Sequence, residues 1–200
     1  QEFDANGRTW LLTPGMTLIP KDKVRTKKLP TFKGVDLTDN PKMSLPLAFT
    51  WLGDTPVYEI GANKKLVKTT RVIKRHTFIP TTVDQKMGPG GIYWKLRDGS
   101  YVQYQQVSIL RKAKYIPPSV QKGAKWVEVR VTWGYLVAYK GKEPVYATAI
   151  SPGVDGIAAR QHATARGKHY VDWKLISGDM SGGSKKNYWF VDEVPWVQYY

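Results

Sequence analysis

Short segments in which apolar and polar residues alternate predict β-strands in the second half of the chain. Residues 126–132 alternate almost strictly, with three valines on one face and aromatic, charged and hydroxyl residues on the other. A side-chain period of two is typical of a strand. The apolar segments 135–139 and 144–150 follow, with residues 140–143 between them as a turn. The pattern therefore predicts a β-meander.

The region before the meander also has the pattern of short strands. Segments 55–58 and 68–73 are rich in β-branched and aromatic residues. Segments 92–96 and 101–104 flank an Asp98-Gly99 turn, which is a strong hairpin signal. Several short strands with glycine-rich turns predict a small β-barrel. Because no segment keeps a 3.6-residue period, we expect little helix and a mainly β fold.

Proline positions and composition divide the chain into four parts. Five prolines before Phe49 exclude long helices and central strands, which predicts an extended N-terminal arm over residues 1–50 with short strands such as 45–51. The small barrel is predicted over residues 51–113. Residues 114–124, with two adjacent prolines, are predicted to be a linker. The last region, residues 125–200, begins with the meander.

The chain is strongly basic, with 31 Lys and Arg residues against 16 Asp and Glu residues, a net charge of +15. This charge attracts anionic polymers, which include nucleic acid, anionic lipid and the carboxylate-rich bacterial wall. The basic cluster at 21–28 is interpreted as a solvated loop, with an anion-binding patch as the alternative. No apolar segment approaches the roughly 18 residues that a membrane-spanning helix needs, so no membrane span is expected.

Several kinds of chemistry are excluded or unsupported by the residues present. The sequence has no Cys, which excludes disulfides, thiolate metal sites and a cysteine nucleophile within these 200 residues. Its three His residues lack the spacing of a zinc site, and no Gly-x-Ser-x-Gly or phosphate-binding glycine loop is present. We therefore expect no metal and no other cofactor.

Aromatic residues make up 12% of the chain, including 8 Trp and 12 Tyr. Aromatic residues interleaved with basic ones on a β-fold are suited to stacking with single-stranded nucleic acid. The same residues are suited to stacking with sugars, or to forming a core in which each ring keeps a polar tip. These alternatives stay open on composition alone.

Four ordered motifs resemble those of bacterial L,D-transpeptidase catalytic domains. The first three, WVEV at 126–129, YLVAYKG at 135–141 and PVYATAISPG at 144–153, resemble the opening of the domain, and DEVPWVQYY at 192–200 resembles a later strand. Residues 164–167 take the place of the family's Thr-Pro-x-Gly turn, although Ala165 stands where Pro is usual. The motif GIYWKLRDGSYV at 91–102 resembles a bacterial SH3-type barrel. Residues 125–200 are thus similar to the first part of an L,D-transpeptidase-type domain.

This resemblance implies a peptidoglycan crosslinking activity whose catalytic His and Cys follow residue 200 in the family pattern. The chain is therefore predicted to be the N-terminal part of such an enzyme, inactive alone, with no catalytic residue of its own. A second chain carrying the missing segment would then be a partner. The resemblance implies a substrate-binding role for two groups, with sheet packing or turn formation as the alternative. These are Trp196, Gln198 and Tyr200 on one strand, and His162, Thr164 and Arg166 at the turn.

The resulting hypothesis is a peptidoglycan-associated envelope protein. The chain begins at Gln1 without an initiator Met, which a removed secretory signal would explain and so would proteolysis or another form of trimming. Together with the resemblance, the first explanation predicts a periplasmic or envelope location. One alternative is a non-catalytic wall-binding or scaffolding module that uses the SH3-like region. Another alternative is an unrelated basic β-protein that binds nucleic acid. The main hypothesis does not include nucleic acid as a partner.

Overall fold

The computed structural model describes residues 1–13, 15–24, 31–153, 163–183 and 188–200. The protein is mainly β: 51% of the described residues lie in strands of several antiparallel sheets, and these residues contain no α-helix. This confirms the predicted fold class at the level of a mainly β protein. Contacts divide the chain into two compact units, Gln1–Ile150 and Ser151–Tyr200.

Eighteen strands and four short 3₁₀ helices make up the regular structure of the described residues. The 3₁₀ helices are Lys21–Lys23, Pro41–Met43, Tyr104–Gln106 and Val131–Trp133. The strands of the first unit are β1 (Glu2–Ala5), β2 (Arg8–Leu12), β3 (Leu18–Pro20), β4 (Val35–Asp36), β5 (Leu47–Thr50), β6 (Thr55–Ile60), β7 (Leu66–Ile73), β8 (Phe78–Gly88), β9 (Gly91–Leu96), β10 (Tyr101–Gln103), β11 (Val107–Leu110), β12 (Lys125–Arg130), β13 (Tyr135–Lys140) and β14 (Glu143–Ala149). The second unit contains β15 (Trp173–Lys174), β16 (Ser177–Gly182), β17 (Trp189–Pro195) and β18 (Gln198–Tyr199).

The largest sheet has seven strands in the order β11-β5-β8-β9-β10-β6-β7. The predicted hairpin is confirmed, because β9 and β10 pair across the Asp98-Gly99 turn with Tyr101 opposite Lys95. Gly99 has a φ of 88°, a conformation that glycine adopts without a steric cost. Strands β11 and β7 are the two edges, and no barrel is detected among the described residues.

The predicted meander is also confirmed, as the sheet β12-β13-β14-β4. Its first three strands fall on the alternating segment and the two apolar segments that predicted them. The fourth strand comes from the region predicted to be an extended arm, with Val35 opposite Ala147. This pairing joins distant parts of the sequence within the first unit.

Strand β12 turns its polar face inward. Trp126, Glu128 and Arg130 are partly buried, whereas Val127 and Val129 are exposed. The Trp126 ring stacks on the Tyr139 ring at a centroid distance of 4.3 Å. The inward charges form an ion pair, with the Arg130 Nη2 atom 2.6 Å from the Glu128 Oε1 atom. The pair is only partly buried, since 42% of the Arg130 side chain and 17% of the Glu128 side chain are exposed, and the two opposite charges compensate each other.

Two hydrophobic clusters form most of the core of the first unit. One lies within the seven-stranded sheet and includes Val57, Leu96 and Val102. The other joins that sheet to the meander, because it combines residues of β5 and β11 with residues of β13 and β14. Its buried members are Leu47, Phe49, Leu110, Tyr135, Val137, Tyr139 and Ala147.

Gly34→Ala should destabilise the first unit. The Gly34 N–H donates to the Tyr146 hydroxyl at 2.9 Å. A Cβ atom at residue 34 would collide with that hydroxyl and lie 2.5 Å from the Ala147 carbonyl oxygen, which β14 holds in place. We expect a loss of about 1–3 kcal/mol in the free energy of unfolding, measured by urea titration of the full chain.

Gly53→Ala is the matched control, because a Cβ atom there meets nothing within 4 Å. Its stability should stay within about 0.5 kcal/mol of the wild type or rise slightly. Equal unfolding midpoints for the two variants would contradict the proposed close approach at Gly34.

The second unit consists of two small antiparallel pairs, β15 with β18 and β16 with β17. Large apolar side chains of the second pair are exposed, including those of Trp189 and Phe190. Trp196 follows β17 in a turn with a φ of 58°. The described part of the chain contains no helix long and apolar enough to cross a membrane.

Candidate functional site

A groove of about 420 Å³ lies in the first unit between the seven-stranded sheet and the meander. Its walls come from β9, from β11 and the residues after it, and from the segment that links β12 to β13. These stretches are brought together by the second hydrophobic cluster, which packs β11 against β13. The groove is therefore a product of tertiary packing rather than of one sequence motif.

The charged side chains that line the groove are all basic. They are Arg111, Lys112, Lys114 and Arg130. Two carboxylates lie next to this set without lining the groove: Glu128 pairs with Arg130, and Glu143 lies 3.7 Å from the Lys112 ammonium group. Four cations against two flanking carboxylates give the groove a positive potential, which favours an anionic ligand.

Aromatic rings form much of the remaining wall. The Trp94 and Tyr104 ring centroids lie 6.2 Å apart, and Tyr104 meets the Trp133 ring edge-on at 6.3 Å. The Arg111 guanidinium lies over the Trp94 ring, 5.1 Å from its centroid, in a cation–π contact. This contact holds one cation at the centre of the aromatic wall.

Hydrogen bonds fix the segment that carries the basic side chains. The Ser108 hydroxyl donates to the Trp133 carbonyl oxygen at 2.6 Å, and the Ala113 N–H donates to the Tyr139 hydroxyl at 2.7 Å. Burial raises the pKa of the Tyr139 hydroxyl and also that of Tyr135. Both phenols therefore stay neutral at physiological pH and act as hydrogen-bonding anchors.

Two donors of the groove residues are buried without a protein acceptor. They are the indole Nε1 of Trp94 and the Nε of Arg130. Trp94 is only 2% exposed. A buried donor left unpaired costs about 1–3 kcal/mol. A ligand that offers an acceptor to either donor would therefore offset part of this cost.

The resemblance-based residues on the C-terminal strand lie in the second unit. Trp196 is 73% exposed, and its backbone N–H donates to the Ile176 carbonyl oxygen at 2.8 Å. Gln198 lies in β18 opposite Lys174. The Tyr200 ring meets the His169 ring edge-on at 5.2 Å. Because a turn at Trp196 separates β17 from β18, the three predicted residues do not share one continuous strand.

The residues of the predicted turn region are only partly described. The Thr164 hydroxyl accepts a hydrogen bond from the Gly153 N–H at 2.8 Å, which ties residue 164 to the end of the VYATAISPG motif. Arg166 is exposed. The prediction for His162 lies outside the described residues. A substrate role for these residues stays a prediction.

The second unit also brings two carboxylates together. A side-chain hydrogen bond with Asp179, which favours the protonated form of Asp192, raises the pKa of Asp192, and burial and the charge of Asp179 add to the effect. The Glu193 N–H donates to the Asp179 carboxylate at 3.1 Å. Within the described ranges no group of three potential ligands is arranged to hold a metal ion.

Sequence reasoning did not identify the groove, although one signal was available. The run Arg111-Lys112-Ala113-Lys114 directly follows a buried strand, so its cations must lie at the end of the sheet. Its aromatic neighbours are distant in sequence, and no spacing links them to the run.

We compared the chain with models of protein families, with curated proteins and with solved structures. None of them matches it.

Proposed function

We propose that the protein is a peptidoglycan-associated envelope protein that combines an SH3-like unit with the first part of an L,D-transpeptidase-type domain. The observation that supports this most is the position of the meander. Strands β12, β13 and β14 fall on the motifs that carry the resemblance, in the strand–hairpin–strand order of that family. We interpret the hairpin-rich sheet of β5 to β11 as the SH3-like unit.

The proposed chemistry is acyl transfer between wall stem peptides through a cysteine thiolate. The thiolate attacks a peptide carbonyl, the C–N bond breaks, and the leaving amine takes up a proton. An acceptor amine then attacks the thioester, forms a new amide and releases the thiol. Because these 200 residues contain no Cys, the sulfur must come from outside them.

Under this proposal the described residues bind and position rather than react. The basic groove concentrates a carboxylate-bearing polymer at the first unit. Trp196, Gln198 and Tyr200, together with the turn around Thr164, remain candidates for contact with the acyl donor. The periplasm or cell envelope is the location that this substrate requires.

The non-catalytic alternative is a wall-binding module, and the basic aromatic groove favours it as a second candidate. Both functions require retention on purified sacculi, whereas a nucleic-acid-binding protein would prefer single-stranded DNA. The test is co-sedimentation of the purified chain with sacculi and, separately, with bead-bound single-stranded DNA at equal ionic strength. Retention on DNA but not on sacculi would overturn the proposal.

A second assay separates acyl transfer by a thiol from other wall chemistry. The chain alone should not exchange the terminal residue of a stem peptide for free diaminopimelate, because it has no thiol. The readout is the mass of the peptide products after incubation. Exchange by the 200-residue chain itself would contradict a cysteine mechanism.

A further inference from the structure

The groove of the first unit has the composition of a site for a carboxylate group. Of its four cations, Arg111 and Arg130 carry guanidinium groups, which bind a carboxylate through two parallel hydrogen bonds. Arg130 already uses its Nη2 atom on Glu128, so its charge is partly compensated. Arg111 contacts the Trp94 ring and pairs with no carboxylate of the described residues, so its charge is available to a ligand.

Two of the residues that line the groove carry buried donors without a partner among the described residues, and these point to the same kind of ligand. The Trp94 Nε1 and Arg130 Nε groups donate and cannot accept, so what they lack is an acceptor. A carboxylate accepts at both oxygens and needs no donor from the protein. Trp94 is nine-tenths buried or more, which makes its unpaired donor a feature of a built site rather than of an open surface.

The aromatic wall fits a peptide better than a strand of bases. Binding of single-stranded nucleic acid depends on exposed ring faces on which successive bases stack. Here Trp94 is buried and its ring is covered by Arg111, Tyr104 is partly buried, and only Trp133 is substantially exposed at 48%. A volume of about 420 Å³ is in the range of pockets that enclose a small ligand.

We propose that this groove binds a free carboxylate of the peptidoglycan stem peptide, with Arg111 as its main charged partner and with Trp94 and Arg130, which line the groove, as further donors. The inference rests on the proposed function and names the part of the wall that is recognised: the peptide rather than the glycan strand. Lys112 and Lys114 add positive charge at the rim, where they attract the peptide without fixing its orientation.

The test uses a soluble disaccharide tetrapeptide released from sacculi and the same compound with its carboxylates amidated. Binding to the full chain is followed by the change in tryptophan fluorescence on titration, to which Trp94 and Trp133 contribute together with the other six Trp residues. We expect the acidic compound to bind and amidation to lower its affinity by about tenfold. Arg111→Gln should lower the affinity for the acidic compound by a similar factor. Lys65→Gln, which removes one charge outside the groove lining, should change it by less than about twofold.

Lys114→Gln provides a second groove variant. Because the Lys114 side chain is exposed, this substitution should leave the chain folded, so a loss of affinity would come from the groove itself. It should lower the affinity by a smaller factor than Arg111→Gln. If both groove variants bind as tightly as Lys65→Gln, or if amidation has no effect, the groove is not the carboxylate site. Retention on sacculi by the wild type and by both variants would then leave the proposed function standing. Displacement of the peptide by single-stranded DNA at lower concentration would overturn the peptide assignment.

Discussion

Leu110→Ala should lower the free energy of unfolding of the first unit by about 2–5 kcal/mol. Leu110 is fully buried at the end of β11 and belongs to the cluster that joins the seven-stranded sheet to the meander. Truncation removes apolar contacts from both sheets and leaves a cavity between them. Because β11 leads directly into the basic run that lines the groove, the same change should also weaken ligand binding.

Urea unfolding of the full chain, followed by tryptophan fluorescence, measures this effect. Leu52→Ala is the matched control, since the Leu52 side chain is 59% exposed and the same atoms are removed. Its unfolding midpoint should lie close to that of the wild type. Similar midpoints for the two variants would show that Leu110 is not part of a shared core.

Raising the NaCl concentration from about 0.1 M to about 1 M should lower the affinity for sacculi by about tenfold or more. The change shortens the Debye length from about 10 Å to about 3 Å, which screens exposed charges from each other. No Lys or Arg residue in the described ranges is fully buried, so the positive charges there are open to this screening. The exposed ion pairs of the chain contribute little to retention and do not offset the loss.

Quantification of bound protein after sedimentation at each salt concentration gives the result. Sucrose at equal osmolality is the control, because it changes the solvent without screening charge. A retained fraction that does not vary with NaCl would contradict an electrostatic contribution of this size. If Arg111→Gln removes the affinity for sacculi that remains at high salt, that part of the affinity comes from the groove, where charges are less screened.

Local patterns predicted the elements whose partners are close in sequence. The Asp98-Gly99 turn and the alternation of residues 126–132 specify hairpin pairings in which each strand meets the next one along the chain. The pairing of β4 with β14 and the place of β5 between β11 and β8 depend on contacts between distant residues. No local spacing contains that information, so the N-terminal region was predicted as an extended arm.

The orientation of β12 shows a second limit of pattern reading. Alternation identified its two faces, but the valines lie outward and the face with Trp126, Glu128 and Arg130 lies inward. The choice depends on what the sheet packs against: stacking with Tyr139 and the compensating ion pair make burial of the polar face possible. The groove could not be predicted for the same reason, since Trp94, Arg111 and Arg130 meet only through packing of the two sheets.

The position of β5 between two partner strands affects how the chain folds during its synthesis. Strand β5 pairs with β8 on one side and with β11 on the other, with Leu47 opposite Leu110. About sixty residues separate these last partners, so their pairing requires closure of a long loop and is slow compared with hairpin formation. A ribosome must deliver residue 110 before β5 acquires its second neighbour. Until then the nascent polypeptide keeps an unpaired strand edge, which is prone to aggregation and is a substrate for chaperones.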